Sequence, residues 1–378
     1  MACVAKENIN YMDGFLLVVI QIIAISGNSL FFVGLIKFPS MRNTTNIFLC
    51  CLASADIIVA LVPMSVTFAI YACNFGPRDQ TDLLYKDVTL TYIILDITCG
   101  TASILSLTVI AMDRYFAINW PFVHERVIVP TLAACAVVAI WLIAFTTSLI
   151  RLDESLPKSH ILLSNILISF GIPLAVMTYC YVNIAVIARR QSIRIAQLTA
   201  AGLSSQRRSE QTETETTNME LSGRNEAKPD VEGSNNCAIE GKEEERKSKK
   251  DTVSKTMSTI RRGTVHAVTR LKKVGKELKA AKTLGIVMGV FILTWTPFMS
   301  VNIISYMYCH PYTPKCKEML SYNMVKYLKL LHYASSALNP CLYVLLNRKW
   351  RDIFRQMLCC GTANRISGEM RTSLVGGW

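Results

Sequence analysis

Seven apolar stretches dominate the chain, and each is long enough to cross a bilayer. They run over residues 14–36, 46–72, 88–118, 127–150, 161–188, 283–308 and 321–346. A hydrocarbon core of roughly 30 Å needs about 20 helical residues, so every stretch qualifies by length. Lipid offers no water to a backbone, and only a helix or a closed barrel satisfies its own amide groups. Runs this long and apolar, without strict alternation, predict helices. The expected fold is an all-α membrane protein, a bundle of seven transmembrane helices. Composition agrees, with 51% of the 378 residues hydrophobic and 18% charged, against about a quarter charged in soluble domains.

The loops predict the orientation. Lys37 and Arg42 follow the first stretch, Arg114 and Arg126 lie at the end of the third, and Arg348, Lys349, Arg351 and Arg355 follow the seventh. The alternate loops mix signs, with Arg78, Asp79, Asp82, Lys86 and Asp87 in one and Arg151, Asp153, Glu154 and Lys158 in the next. By the positive-inside rule, residues 1–13 lie outside the cell and 347–378 in the cytosol. Residues 1–13 are short and polar and show no secretory signal pattern. Residues 14–188 then hold helices one to five and 283–346 hold six and seven. Between them, 189–282 form one long third intracellular loop, whose Ser/Thr clusters and acid–base blocks predict disorder through its centre.

After the seventh stretch, Trp350, Ile353, Phe354, Met357 and Leu358 share one helical face, with basic residues between them. That pattern predicts a short amphipathic eighth helix along the inner leaflet. Cys359 and Cys360 at its end are either lipidation sites or free thiols. The net charge of +13 is concentrated in the central polar segment and its flanks, where it would meet membrane lipids or an acidic partner. Nucleic acid is a poor fit, since the basic residues are interleaved with long apolar spans. The thirteen cysteines form no metal-ligand pattern.

The third stretch carries charge at both ends. Eighteen residues separate Asp96 from Arg114, which is five helical turns or about 27 Å. The two therefore share one side of a helix, one near each membrane face. An acid placed like Asp96 marks a functional site, because a carboxylate there needs a partner.

Further markers recur in order along the spans. They are Gly27-Asn28, then Leu52-Ala53-Ser54-Ala55-Asp56, Asp113-Arg114-Tyr115, Trp141, and Pro173 with Tyr181. Phe291, Trp295 and Pro297 follow in the sixth span, and Asn339-Pro340-Cys341-Leu342-Tyr343 in the seventh. In these residues the chain resembles a class A, rhodopsin-like G protein-coupled receptor over all seven spans. The resemblance implies no enzyme activity and a plasma-membrane location, with a heterotrimeric G protein as the inner partner and arrestin and receptor kinases as further ones. It implies a sodium ion held by Asp56, Ser103, Ser335 and Asn339; the alternative is a purely hydrogen-bonded network. It implies a lock between Arg114 and Glu277, and a switch using Asp113, Tyr115, Tyr181 and Tyr343, with Phe122 offered to the G protein. Pro173, Ile104 and Phe291 resemble the packing trigger between ligand pocket and lock.

At the outer end, Asp96 with Tyr333 resembles the amine-binding pair of the monoamine receptors. Ile97, Gly100, Trp295, Phe298, Met299 and Asn302 complete the candidate pocket, and Asn165 with Ser169 either meet the ligand or bond between helices. Three features depart from that subfamily. The loop 151–160 has no cysteine for the usual tether, which leaves Cys309 and Cys316 as a candidate disulfide, with Cys3 and Cys73 as further outer cysteines. Leu330 stands where the subfamily has tryptophan, and Met299 where an aromatic is common. Lys329 lies one turn outward of Tyr333; it either snorkels outward or pairs with Asp96, and pairing would suit an acidic or zwitterionic ligand. Melanocortin, cannabinoid and lysophospholipid receptors share the missing tether, so a lipid, nucleoside or peptide ligand stays open beside a biogenic amine.

Other classes fit less well. A transporter would show a repeat between halves. An enzyme would need a catalytic set, and His124-Glu125 lacks the second histidine of a zinc-protease motif. An opsin needs its Schiff-base lysine where Tyr333 stands, and Lys329 is one turn too far outward.

Overall fold

The computed structural model describes residues 11–72, 83–150, 161, 163, 166–193, 197, 275, 278, 281–305 and 322–358. Every predicted span that falls within them is helical. Helix α1 (Tyr11–Lys37) ends on a lysine, whose charge suits the negative end of the helix dipole. After a tight turn over Pro39–Met41, α2 (Thr44–Leu61) begins at Asn43, whose side chain accepts the backbone N–H of Asn46 at 2.9 Å. The Asn43-Thr44-Thr45 triplet thus starts a helix, as a short polar residue at an N-cap does. The second span is then broken at Val62, and α3 (Pro63–Ala72) resumes from a proline. Proline is tolerated at a first helical position because its missing N–H would be unpaired there anyway.

Helix α4 (Leu83–Asn119) is the longest of the described helices at 37 residues. A short α5 (Pro121–Val127) and then α6 (Pro130–Leu149) follow, each opened by proline. Helix α7 (Leu167–Ile193) starts with a π turn over Leu167–Gly171, just before Pro173. Helices α8 (Ala281–Ser305), α9 (Tyr322–Leu346) and α10 (Arg348–Leu358) complete the described chain, with Pro340 inside α9.

Six helices among the described residues are long and apolar enough by composition to cross a membrane. Helix α9 matches them in length, at 25 residues. It is more polar because Lys326, Lys329, His332, Ser335, Ser336 and Asn339 are all buried on it. Large apolar side chains such as Phe15, Ile22, Leu142, Leu293 and Leu345 are instead exposed. A protein in water avoids so wide an apolar surface, whereas a bilayer covers it.

The chain divides into two compact units, Met1–Val182 with Ala280–Trp378, and Asn183–Lys279. In the first, α4 packs against α2, α3, α6 and the start of α7, while α1 rests on α2, α3, α9 and α10. In the second, the described residues are helical. The centre of the predicted long loop, with Glu277, lies outside the described residues, as do Asn165, Cys3, Cys73, Cys309, Cys316, Cys359, Cys360 and the side chain of Phe122.

The expected amphipathic helix forms over Arg348–Leu358, with Trp350, Ile353 and Phe354 buried and Leu358 exposed. The apolar face of α10 turns toward α1, where Trp350 stacks on Phe31 with ring centroids 4.1 Å apart. A Cβ on Gly34 would lie 2.9 Å from the Trp350 ring, so the glycine makes room for it. Leu358 extends past this contact as an apolar side chain of the kind that lipid covers.

Candidate ligand-binding site

Asp96 lies in the amino-terminal half of α4 and lines a cavity of about 340 Å³ together with residues of α3, α7, α8 and α9. That volume is at the small end of the ~300–1,000 Å³ typical of ligand sites. The two carboxylate oxygens have different partners. Oδ2 accepts from the Lys329 ammonium at 2.5 Å, and Oδ1 accepts from the Tyr333 hydroxyl at 3.2 Å. Thr67 of α3 holds that hydroxyl from the other side at 3.1 Å. Lys329 Nζ also sits over two aromatic faces, 4.6 Å from the Phe298 centroid and 4.7 Å from that of Tyr333. A carboxylate and two ring faces are what stabilises a desolvated ammonium. The protein's own lysine occupies the place an amine would take.

Below this pair the floor is aromatic. Trp295 stacks on Phe291 at 4.7 Å and meets the His332 ring at 4.2 Å. Gly100 is required here, since a Cβ would stand 2.7 Å from the tip of Trp295. The indole N–H donates to Ser335 Oγ at 3.2 Å, and that hydroxyl donates to the His332 carbonyl. Deeper still, Asp56 is buried and accepts from Asn339 Nδ2 at 2.8 Å, with Ser336 as a second hydrogen-bond partner. Among the described residues no cation pairs with Asp56.

Toward the carboxyl-terminal end of α4, Arg114 folds back on its neighbour. Its Nη2 donates to Asp113 Oδ2 at 2.6 Å and to Thr45 Oγ1 at 2.5 Å. Thr45 in turn donates to Asp113 at 2.8 Å, and His124 Nε2 of α5 lies 2.7 Å from the other carboxylate oxygen. Tyr115 packs edge-on against Trp120 and meets the Tyr179 ring. Tyr343 is buried nearby and Tyr181 half-buried, and their buried hydroxyls have no hydrogen-bond partner among the described residues. Such groups cost about 1–3 kcal/mol each.

The family model for the 7 transmembrane receptor (rhodopsin family) matches residues 27–156 and 150–343. The chain belongs to that family. The 5-hydroxytryptamine receptor 2C of Mus musculus is 30% identical over 91% of this chain and 71% of its own length. Its Rattus norvegicus counterpart is 29% identical over the same shares. The D(1C) dopamine receptor of Xenopus laevis is 27% identical over 92% of this chain and 68% of its own. This receptor is therefore a multi-pass plasma-membrane protein that takes a small ligand and acts through a G protein, and it is not an enzyme.

The receptor brings together most of the residues expected at its ligand end. Asp96, Ile97, Gly100, Ser169, Trp295, Phe298, Met299, Asn302 and Lys329 all line the one cavity, and Tyr333 reaches it through Asp96. Two of the expected residues have partners within the bundle. Ser335 bonds Trp295 and its own helix, and its neighbour Ser336, about 100° further round the helix, interacts with Asp56. Ser169 bonds Thr101 at 2.7 Å, the contact between helices that was one of its two expected roles, and also lines the cavity. Sequence reasoning missed His332, Thr67 and the His124 contact, and it missed an ion pair between Asp13 of α1 and Lys326 of α9. The only available signal for that pair was an acid and a lysine at the outer ends of two spans.

Proposed function

We propose that the receptor answers a small ammonium-bearing ligand, with Asp96 as its anchor. The cage around Lys329 Nζ carries this reading, because it shows the cavity stabilising an ammonium through Asp96, Phe298 and Tyr333. The serotonin and dopamine receptors among its relatives support it. Binding exchanges the internal Asp96–Lys329 contact for one with the ligand, and it loads the floor formed by Trp295, Phe291 and His332. From there the signal runs to Arg114, which in the opened state engages the G protein beside Tyr115 and Phe122. Opening also offers the Tyr181 and Tyr343 hydroxyls the partners they lack. Glu277 would hold Arg114 in the resting state.

In this reading residues 1–13 are extracellular, and the third loop and tail are cytosolic, where receptor kinases and arrestin act. Asp56 and Asn339 are oxygen donors suited to sodium, joined by Ser103 and Ser335 with Ser336 close by, and the ion would supply the counter-charge that the buried carboxylate lacks. The test is nucleotide exchange on a G protein in membranes bearing the receptor, with a panel of monoamines. A response in the wild type that Asp96→Asn abolishes is the expected result. An undiminished response in Asp96→Asn refutes the anchor.

A further inference from the structure

We infer that the cavity is built for a zwitterion, an amino acid that keeps its carboxylate, with its ammonium on Asp96 and its carboxylate on Lys329. The inference rests on Asp96 being the ammonium anchor and adds a second, opposite anchor beside it. Asp96 and Lys329 are joined at 2.5 Å, with side chains only 17% and 7% exposed. A simple amine that takes Asp96 strips Lys329 of its carboxylate partner inside the cavity. Lys326, one turn outward on α9, gives no relief, since it is itself cationic and is bound to Asp13. A simple acid that takes Lys329 strips Asp96 in the same way. A buried charge parted from its partner opposes binding strongly. A ligand with both charges leaves neither group alone, exchanging one internal ion pair for two intermolecular ones.

Two further observations point the same way. His332 lies one turn inward of Lys329 on the same face of α9, lines the cavity, and is 94% buried by its 6% exposure. Among the described residues its buried Nδ1 has no hydrogen-bond partner, so it offers a polar group within the cavity that the proposed carboxylate can use. In an α-amino acid the ammonium and carboxylate sit on one carbon, as close together as Asp96 and Lys329 are. Ile97, Trp295, Phe298 and Met299 give the wall an apolar and aromatic stretch that fits an aromatic side chain, with Thr101, Ser169 and Asn302 as polar members of the same wall.

The test uses compound pairs that differ only in the carboxylate: tryptophan and tryptamine, tyrosine and tyramine, phenylalanine and phenethylamine. Full-length receptor in membranes is assayed for G protein nucleotide exchange, with surface expression measured for every variant. The wild type should answer at least one amino acid at a concentration about tenfold or more below that of its amine, a preference equivalent to about 1.4 kcal/mol. Lys329→Met should reverse that preference and Lys329→Arg should keep it. His332→Phe should weaken the amino acid more than the amine. A wild type that prefers the amines overturns the zwitterion and leaves the Asp96 anchor standing, as does a preference that Lys329→Met leaves unchanged. Silence toward all six compounds overturns both. If Lys329→Met fails to reach the membrane, the wild-type ratio decides alone.

Discussion

Helix α4 carries two acid–base pairs, at Asp96 and at Asp113, and the two are built differently. Asp96 meets Lys329 across a cavity, from a helix more than two hundred residues away in the chain. Asp113 meets Arg114 as its immediate neighbour, braced by Thr45 of α2 and His124 of α5. A contact between two helices inside a cavity can be opened by anything that enters and matches either charge. A contact within one helix travels with that helix, so its geometry survives when the bundle rearranges. The outer pair is therefore suited to detecting a ligand, and the inner pair to presenting one arginine in a controlled way. Sequence proximity, and not the chemistry of the pair, sets the difference.

The comparison can be broken most forcefully at the outer end. Asp96→Asn leaves the Lys329 ammonium buried beside a neutral amide and should lower stability by about 3–5 kcal/mol. Adding Lys329→Met should recover a large part of the loss, with a coupling above about 1.5 kcal/mol in a double-mutant cycle. Thermal inactivation of detergent-solubilised receptor measures both. In the second pair, Asp113→Asn leaves an arginine that is more exposed than Lys329 and keeps Thr45 as a partner, so the expected loss is smaller, about 1.5–3 kcal/mol. The same variant loosens Arg114 and should raise ligand-independent nucleotide exchange. A larger stability loss there than at Asp96 would contradict the ranking. The smallest effect belongs to Thr45→Ala, about 0.5–1.5 kcal/mol, since Asp113 and Arg114 keep each other. Basal exchange in that variant should rise less than in Asp113→Asn.

What the sequence made legible follows from periodicity. Asp96 and Arg114 fall on one side of a helix by count alone, and Asp96 with Tyr333 was readable because both lie on long apolar spans near the same face of the membrane. Whether Lys329 turned outward or inward was open, because a long flexible side chain can do either. The structure turns it inward, toward Phe298 and Tyr333. The His124 contact with Asp113 depends on how a short helix folds back under α4, and no spacing encodes that. Ser335 and Ser336 show the same limit at finer grain, since they stand about 100° apart on α9 and only the helix's orientation in the bundle decides which one meets Asp56.

The π turn at Leu167–Gly171 gives α7 one residue more than a regular helix would hold there. Ser169 lies inside it and reaches Thr101 across the cavity wall. The turn takes up its extra residue locally, so only the side chains within it leave the regular spacing of about 100°. The wall of the cavity is thus set by one turn of α7. A lineage that lost this residue would re-aim the side chains of that turn, Ser169 among them, and leave the rest of the helix in place.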